Sequence, residues 1–94
     1  MSTLPMKTLE RKTLHILRKI SDPLAMEVIT EERKNAEVVL LLIQDAVLAK
    51  GNFPEATYVS EEDLSARGSE TPYCLINAHG MACLIMDCDR VITW

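Results

Sequence analysis

Aromatic side chains make up only 4% of this 94-residue chain. The four rings, Phe53, Tyr58, Tyr73 and Trp94, are scattered and leave no platform on which nucleic-acid bases would stack. A net charge of −4 also argues against a protein that grips a phosphate backbone alone, so direct nucleic-acid binding is not expected. No G-x-G-x-x-G or Walker loop follows any candidate strand, and the turn after Leu17 reads RKISDP. That argues against a dinucleotide or P-loop nucleotide, and no cofactor is expected. The three cysteines form no C-x-x-C pair and no recognisable disulfide framework. The longest apolar run is far short of the about 20 residues of a membrane span. The N-terminus also lacks the apolar segment of a signal peptide, so the expectation is a cytoplasmic protein with reduced thiols and no membrane contact.

What the chain does have is a run of six apolar residues, Val38 to Ile43, with no alternation. A strand with one wet face would alternate, so this run predicts a strand buried on both sides, as in a parallel sheet covered by helices. It stops on Gln44-Asp45, and Ala46 to Lys50 predicts a short helix. Asp45 is placed to cap that helix, and Gly51 to close it in the left-handed position. The polar pair thus falls at the carboxyl end of a central strand, where open α/β sheets keep their sites.

Around this centre the elements alternate. Residues 1–12 read as a loosely ordered basic lead-in with Pro5, and residues 13–94 as one domain. Thr13 to Leu17 predicts a strand in which His15 is a hydrogen-bonded structural histidine. Asp22 and Pro23 open a helix, as N-cap and first helical residue, with Leu24, Ala25, Val28 and Ile29 facing the sheet and Glu31 to Lys34 as its wet end. Ala56 to Val59 is the next strand. Ser60 with Glu61, Glu62 and Asp63 starts a short helix that ends before Gly68. Tyr73 to Ile76, His79 to Asp87 and Arg90 to Trp94 supply a strand, a helix and a closing strand. The expected fold is a small three-layer α/β/α sandwich on a mostly parallel five-stranded sheet with right-handed crossovers.

Charge is unevenly spread. Residues 1–19 hold Lys7, Arg11, Lys12, Arg18 and Lys19 against Glu10, whereas residues 55–70 hold Glu55, Glu61, Glu62, Asp63 and Glu70 against Arg67. Opposed patches of this kind suit docking to another protein, although ordinary solvated faces look the same in sequence. On the helix from His79, the residues Met81, Leu84, Ile85 and Cys88 form an apolar stripe. His79, Cys83 and Asp87 line up on the other side. An imidazole one turn from a thiol can activate it, which makes Cys83 with His79 the candidate catalytic pair. Three helical ligands without a fourth are a weak metal signal, and no metal is expected. Cys74 is expected to be buried and structural.

Several stretches taken together resemble one family. QDAVLAK after a buried strand, then Tyr58-Val59-x-x-x-Asp63-Leu64-x-Ala66-Arg67-Gly68, then Leu75-Ile76 and a final strand ending in Trp94 look like the DsrH/TusB family of the DsrE-like sulfur-relay proteins. The resemblance runs from about Leu14 to Trp94, and the D-L-x-A-R-G segment is its sharpest part. It implies a small α/β sandwich that is a subunit of a cytoplasmic heterohexamer passing persulfide sulfur, towards tRNA wobble-uridine thiolation or in sulfur oxidation. Its partners would be DsrE-like and DsrF-like (TusD- and TusC-like) subunits, or further copies of itself. Gln44, Asp45, Asp63 and Arg67 become the candidates for a strand-end or interface role. Some DsrH-type members carry a cysteine on the first helix, but Asp22 to Glu32 has none. The resemblance therefore favours a non-catalytic subunit over a sulfur carrier acting through Cys83, with a stand-alone homo-oligomer as a further reading.

Overall fold

The computed structural model describes residues 11–53 and 56–94. The expected lead-in lies outside that range except for Arg11 and Lys12, and Lys12 already belongs to the first strand. The elements follow as β1 (Lys12–Leu17), α1 (Pro23–Glu32), β2 (Glu37–Leu42), a 3-10 helix (Gln44–Leu48), β3 (Thr57–Ser60), α2 (Glu61–Ala66), β4 (Cys74–Ile76), α3 (Ala78–Asp87) and β5 (Arg90–Thr93). The sheet order is β4-β3-β2-β1-β5, and every neighbouring pair is parallel. β2 is therefore the middle strand, as its unbroken apolar run predicts.

The chain steps outward from β1 to β4 and then returns across the sheet to place β5 beyond β1. Crossovers of one hand that step in one direction lie on one face, and a step back puts the connection on the other. The two cores have this division. On one face, Leu17, Leu40, Leu42 and Val59 meet Ala25 and Ile29 of α1, Ala46 and Val47 of the 3-10 helix, and Leu64 of α2. On the other, Leu14, Ile16, Val39 and Leu41 meet α3, the one described helix on that face, through Met81 and Leu84, with Cys88 just beyond it. The sandwich has three layers, and among the described residues one of them is a single helix.

The helix starts follow the side chains at their caps. The Asp22 carboxylate accepts the Ala25 N–H at 3.1 Å, with Pro23 in the first turn where a missing N–H costs nothing. The Ser60 hydroxyl accepts the Asp63 N–H at 3.3 Å, and the Asn77 side chain accepts the Gly80 N–H at 2.8 Å. Gly68 ends the α2 region with φ +60, the left-handed conformation that glycine takes without strain.

Some of the expected helix faces point elsewhere. On α1 only Ala25 and Ile29 are buried, while Leu24 is 62% exposed and Val28 is partly exposed. On α3 no residue is fully buried, and Ile85 is exposed although the sequence placed it in the inward stripe. Among the described residues α3 has no second helix beside it on this sheet face. Glu32, read as part of a wet end, instead turns inward to the fully buried His15, at 2.6 Å.

Candidate functional site

The strand-end candidates do come together. Past Leu42 the chain must turn sharply, and Gln44 does so with φ +52, a left-handed conformation that costs a non-glycine residue about 1–2 kcal/mol. The turn is held from outside. The Asp63 carboxylate, in the first turn of α2, accepts the Gln44 N–H at 2.8 Å. Arg67, one turn further along, donates from Nε and Nη2 to Asp45 Oδ1 at 3.2 and 3.1 Å, and from Nη1 to the Asp63 carbonyl at 3.1 Å. Asp63 and Arg67 of the D-L-x-A-R-G segment thus clamp the end of the central strand to α2.

Two expectations here are corrected. Asp45 caps no helix: the element is a 3-10 turn with Ile43 at its N-cap and no side-chain cap, and the Asp45 carboxylate is taken up by Arg67. Gly51 does not adopt a left-handed conformation, because the turn already ends at Ala49 in extended backbone. A 3-10 turn leaves fewer free N–H groups than an α-helix, and the Ala46 N–H is spent on the Ile43 carbonyl at 3.0 Å.

Beside the clamp lies an open groove of about 420 Å³ on the face covered by α3. Its floor is Ile16, Leu41 and Ile43, its wall Met81, Ala82 and Ile85, and its rim Gln44, Glu62 and Asp63. A second cavity, of about 230 Å³, opens on the opposite face between the β1–α1 loop and the segment from Ala49 to Phe53.

The thiols lie apart from the strand-end site. Cys83 and His79 are both exposed on α3, and Cys83 Sγ stands 3.7 Å from His79 Nε2. The predicted line-up of the pair is therefore present, but Asp87 turns away from it to Lys12 Nζ. Among the described residues no group of three or more His, Cys, Asp or Glu side chains could hold a metal ion. Cys74 is exposed, not buried, because β4 is an edge strand that among the described residues pairs with β3 alone. Cys88 is half-buried, and burial pushes its thiol above the ordinary cysteine range despite Lys12 nearby.

The network around His15 was only half-readable. Its Nδ1 accepts the Trp94 indole N–H at 3.0 Å, so Nε2 carries the proton given to Glu32. The rings of His15 and Trp94 stack with centroids 6.1 Å apart. Fully buried, His15 is a structural residue. No local signal pairs residues 17 and 79 positions apart.

The fold and the clamp define a small all-parallel α/β sandwich with a latched central strand and an open groove at its carboxyl end. No helix among the described residues is long and apolar enough to cross a membrane. No protein-family model, curated protein or solved structure matches the chain.

Proposed function

We propose that the chain is a non-catalytic subunit of a sulfur-relay complex, of the kind the DsrH/TusB resemblance implies. The observation that carries this reading is the use made of the D-L-x-A-R-G segment. Asp63 and Arg67, its polar members, are both committed to holding the strand-end turn. Both side chains serve the architecture of this turn. Two further features support a role through protein contacts. Leu24, Val28, Ile85 and Met86 expose apolar helix surface, and the first helix carries no thiol. The partners would be cysteine-bearing DsrE-like and DsrF-like subunits, and the setting cytoplasmic.

A second reading has one observation in its favour, the exposed Cys83 one turn from His79. In that reading the Cys83 thiolate attacks the outer sulfur of a donor persulfide. The S–S bond breaks, the donor cysteine leaves as its thiolate, and Cys83 carries the sulfur onward. One experiment separates the two. Persulfide transfer to the downstream acceptor is followed by mass in a complex reconstituted with its partner subunits. Cys83→Ser should transfer as well as the parent, while omission of the subunit should abolish assembly and transfer together. A large loss in Cys83→Ser, with the complex intact by size exclusion, would overturn the subunit reading and favour the carrier.

A further inference from the structure

The carboxyl end of the sheet carries two features that are complementary in apolar character and charge. The first is a projection, the turn Arg18-Lys19-Ile20 after β1. Ile20 is 56% exposed there. Among the described residues Lys19 reaches only Asp22, at 3.7 Å, and its side chain is 64% exposed. The second feature is the groove of about 420 Å³ on the other face, with an aliphatic floor and wall and an acidic rim. Glu62 on that rim is exposed and has no ion-pair partner among the described residues.

Both features sit over the same strands. The projection leaves β1 and leads into α1, and its cavity is floored by Leu17 and Leu42. The groove is floored by Ile16 of β1 together with Leu41 and Ile43 of the β2 segment. They are thus at the same place along the sheet and at the same strand ends, but on opposite faces. A two-fold axis that lies in the plane of the sheet, across the strand ends, exchanges the two faces and keeps the position along the sheet. It therefore carries the projection of one copy onto the groove of the other, and the reverse, so that each contact is made twice.

We propose that this chain forms a two-fold dimer through the carboxyl end of its sheet. Ile20 of each copy enters the groove beside Ile43 and Ile85 of the other, and Lys19 faces Glu62. The occupant is a second copy because the complement of the groove, an exposed aliphatic residue preceded by the exposed cation Lys19, is present on the chain itself at the same strand ends. The aliphatic contact supplies the association and the charged rim its orientation. This contact does not rest on the sulfur-relay reading, since a dimer can stand alone or form the centre of a larger complex.

The test is the molar mass of the full chain by light scattering across a concentration series, with the thermal unfolding of each variant followed by circular dichroism. The parent should reach twice the 10.6 kDa chain mass. Ile20→Asp, Lys19→Glu and Glu62→Lys should each fall to the single-chain mass at loadings where the parent is dimeric, with the fold retained, since all three side chains are exposed. The double variant Lys19→Glu/Glu62→Lys reverses both charges of the pair and should recover the doubled mass, which added salt then weakens. The proposal is overturned by a parent that stays at the single-chain mass throughout. It is equally overturned by single variants that remain dimeric, or by a folded double variant that stays monomeric.

Discussion

Cys83 and Cys74 present their thiols to solvent, and Cys88 is half-buried. The three therefore separate by chemistry as well as by place. Alkylation proceeds through the thiolate, and burial holds the Cys88 thiol in its protonated form to higher pH. Native labelling near neutral pH should modify Cys74 and Cys83 first and Cys88 more slowly. Mass spectrometry of peptides taken at successive times reads this order, and early labelling of Cys88 would mean that the last turn of α3 is not docked on the sheet. The exposure of Cys74 also shows why a residue cannot be judged from its strand alone. Tyr73 to Ile76 looks like a buried strand by composition, but an outermost strand covers little, and position in the sheet order has no local signature.

Among the elements, β2 is the one on which both layers depend. Its side chains alternate between the two cores, Leu40 and Leu42 on one face and Val39 and Leu41 on the other, all nearly inaccessible. Leu41→Asp would bury a carboxylate with no cation beside it and remove a contact of the α3 layer. The expected loss exceeds about 4 kcal/mol, a large share of the stability of a domain of this size, and should lower the melting temperature by more than about ten degrees. A melting temperature within a few degrees of the parent would refute the central position of β2. This strand could be read from sequence because six apolar residues without alternation have only one comfortable home in a small α/β domain. Asp22, Pro23 and Ser60 were readable for a similar reason, since a cap acts within three residues of itself. Asp45 looked like a cap by the same rule and was not one. The deciding partner, Arg67, lies 22 residues away on an element whose packing the local pattern does not contain. The clamp residues stood out only as a motif, and the job they do emerged when the fold brought α2 against the end of β2.

At the scale of the whole molecule, the two ends of the described chain are joined through the core. His15 in β1 links Glu32 at the end of α1 to Trp94 after β5, and Arg18 donates to the Trp94 carbonyl at 2.6 Å. Glu32 also receives Arg90 of β5 at 3.5 Å. Burial alone would raise the Glu32 carboxyl, but the His15 hydrogen bond, Thr13 and the Arg90 charge outweigh it and hold it below its ordinary value. The buried Thr13 hydroxyl has no hydrogen bond of good geometry, yet lies near enough to this carboxylate to favour its charged form. A carboxyl lowered by folding stabilises the native state fully above the unfolded glutamate value, about 4.3. That contribution is lost as the pH falls through the lower value it has in the fold. Urea midpoints measured from neutral pH down into this acid range should therefore fall less steeply for Glu32→Gln, which still accepts the His15 N–H but does not titrate there. Glu32→Ala, which leaves that buried N–H without a partner, should cost about 1–3 kcal/mol at neutral pH. An acid slope in Glu32→Gln equal to that of the parent would mean that the pairing of α1 with His15 does not govern how the sheet and its covering helix come apart.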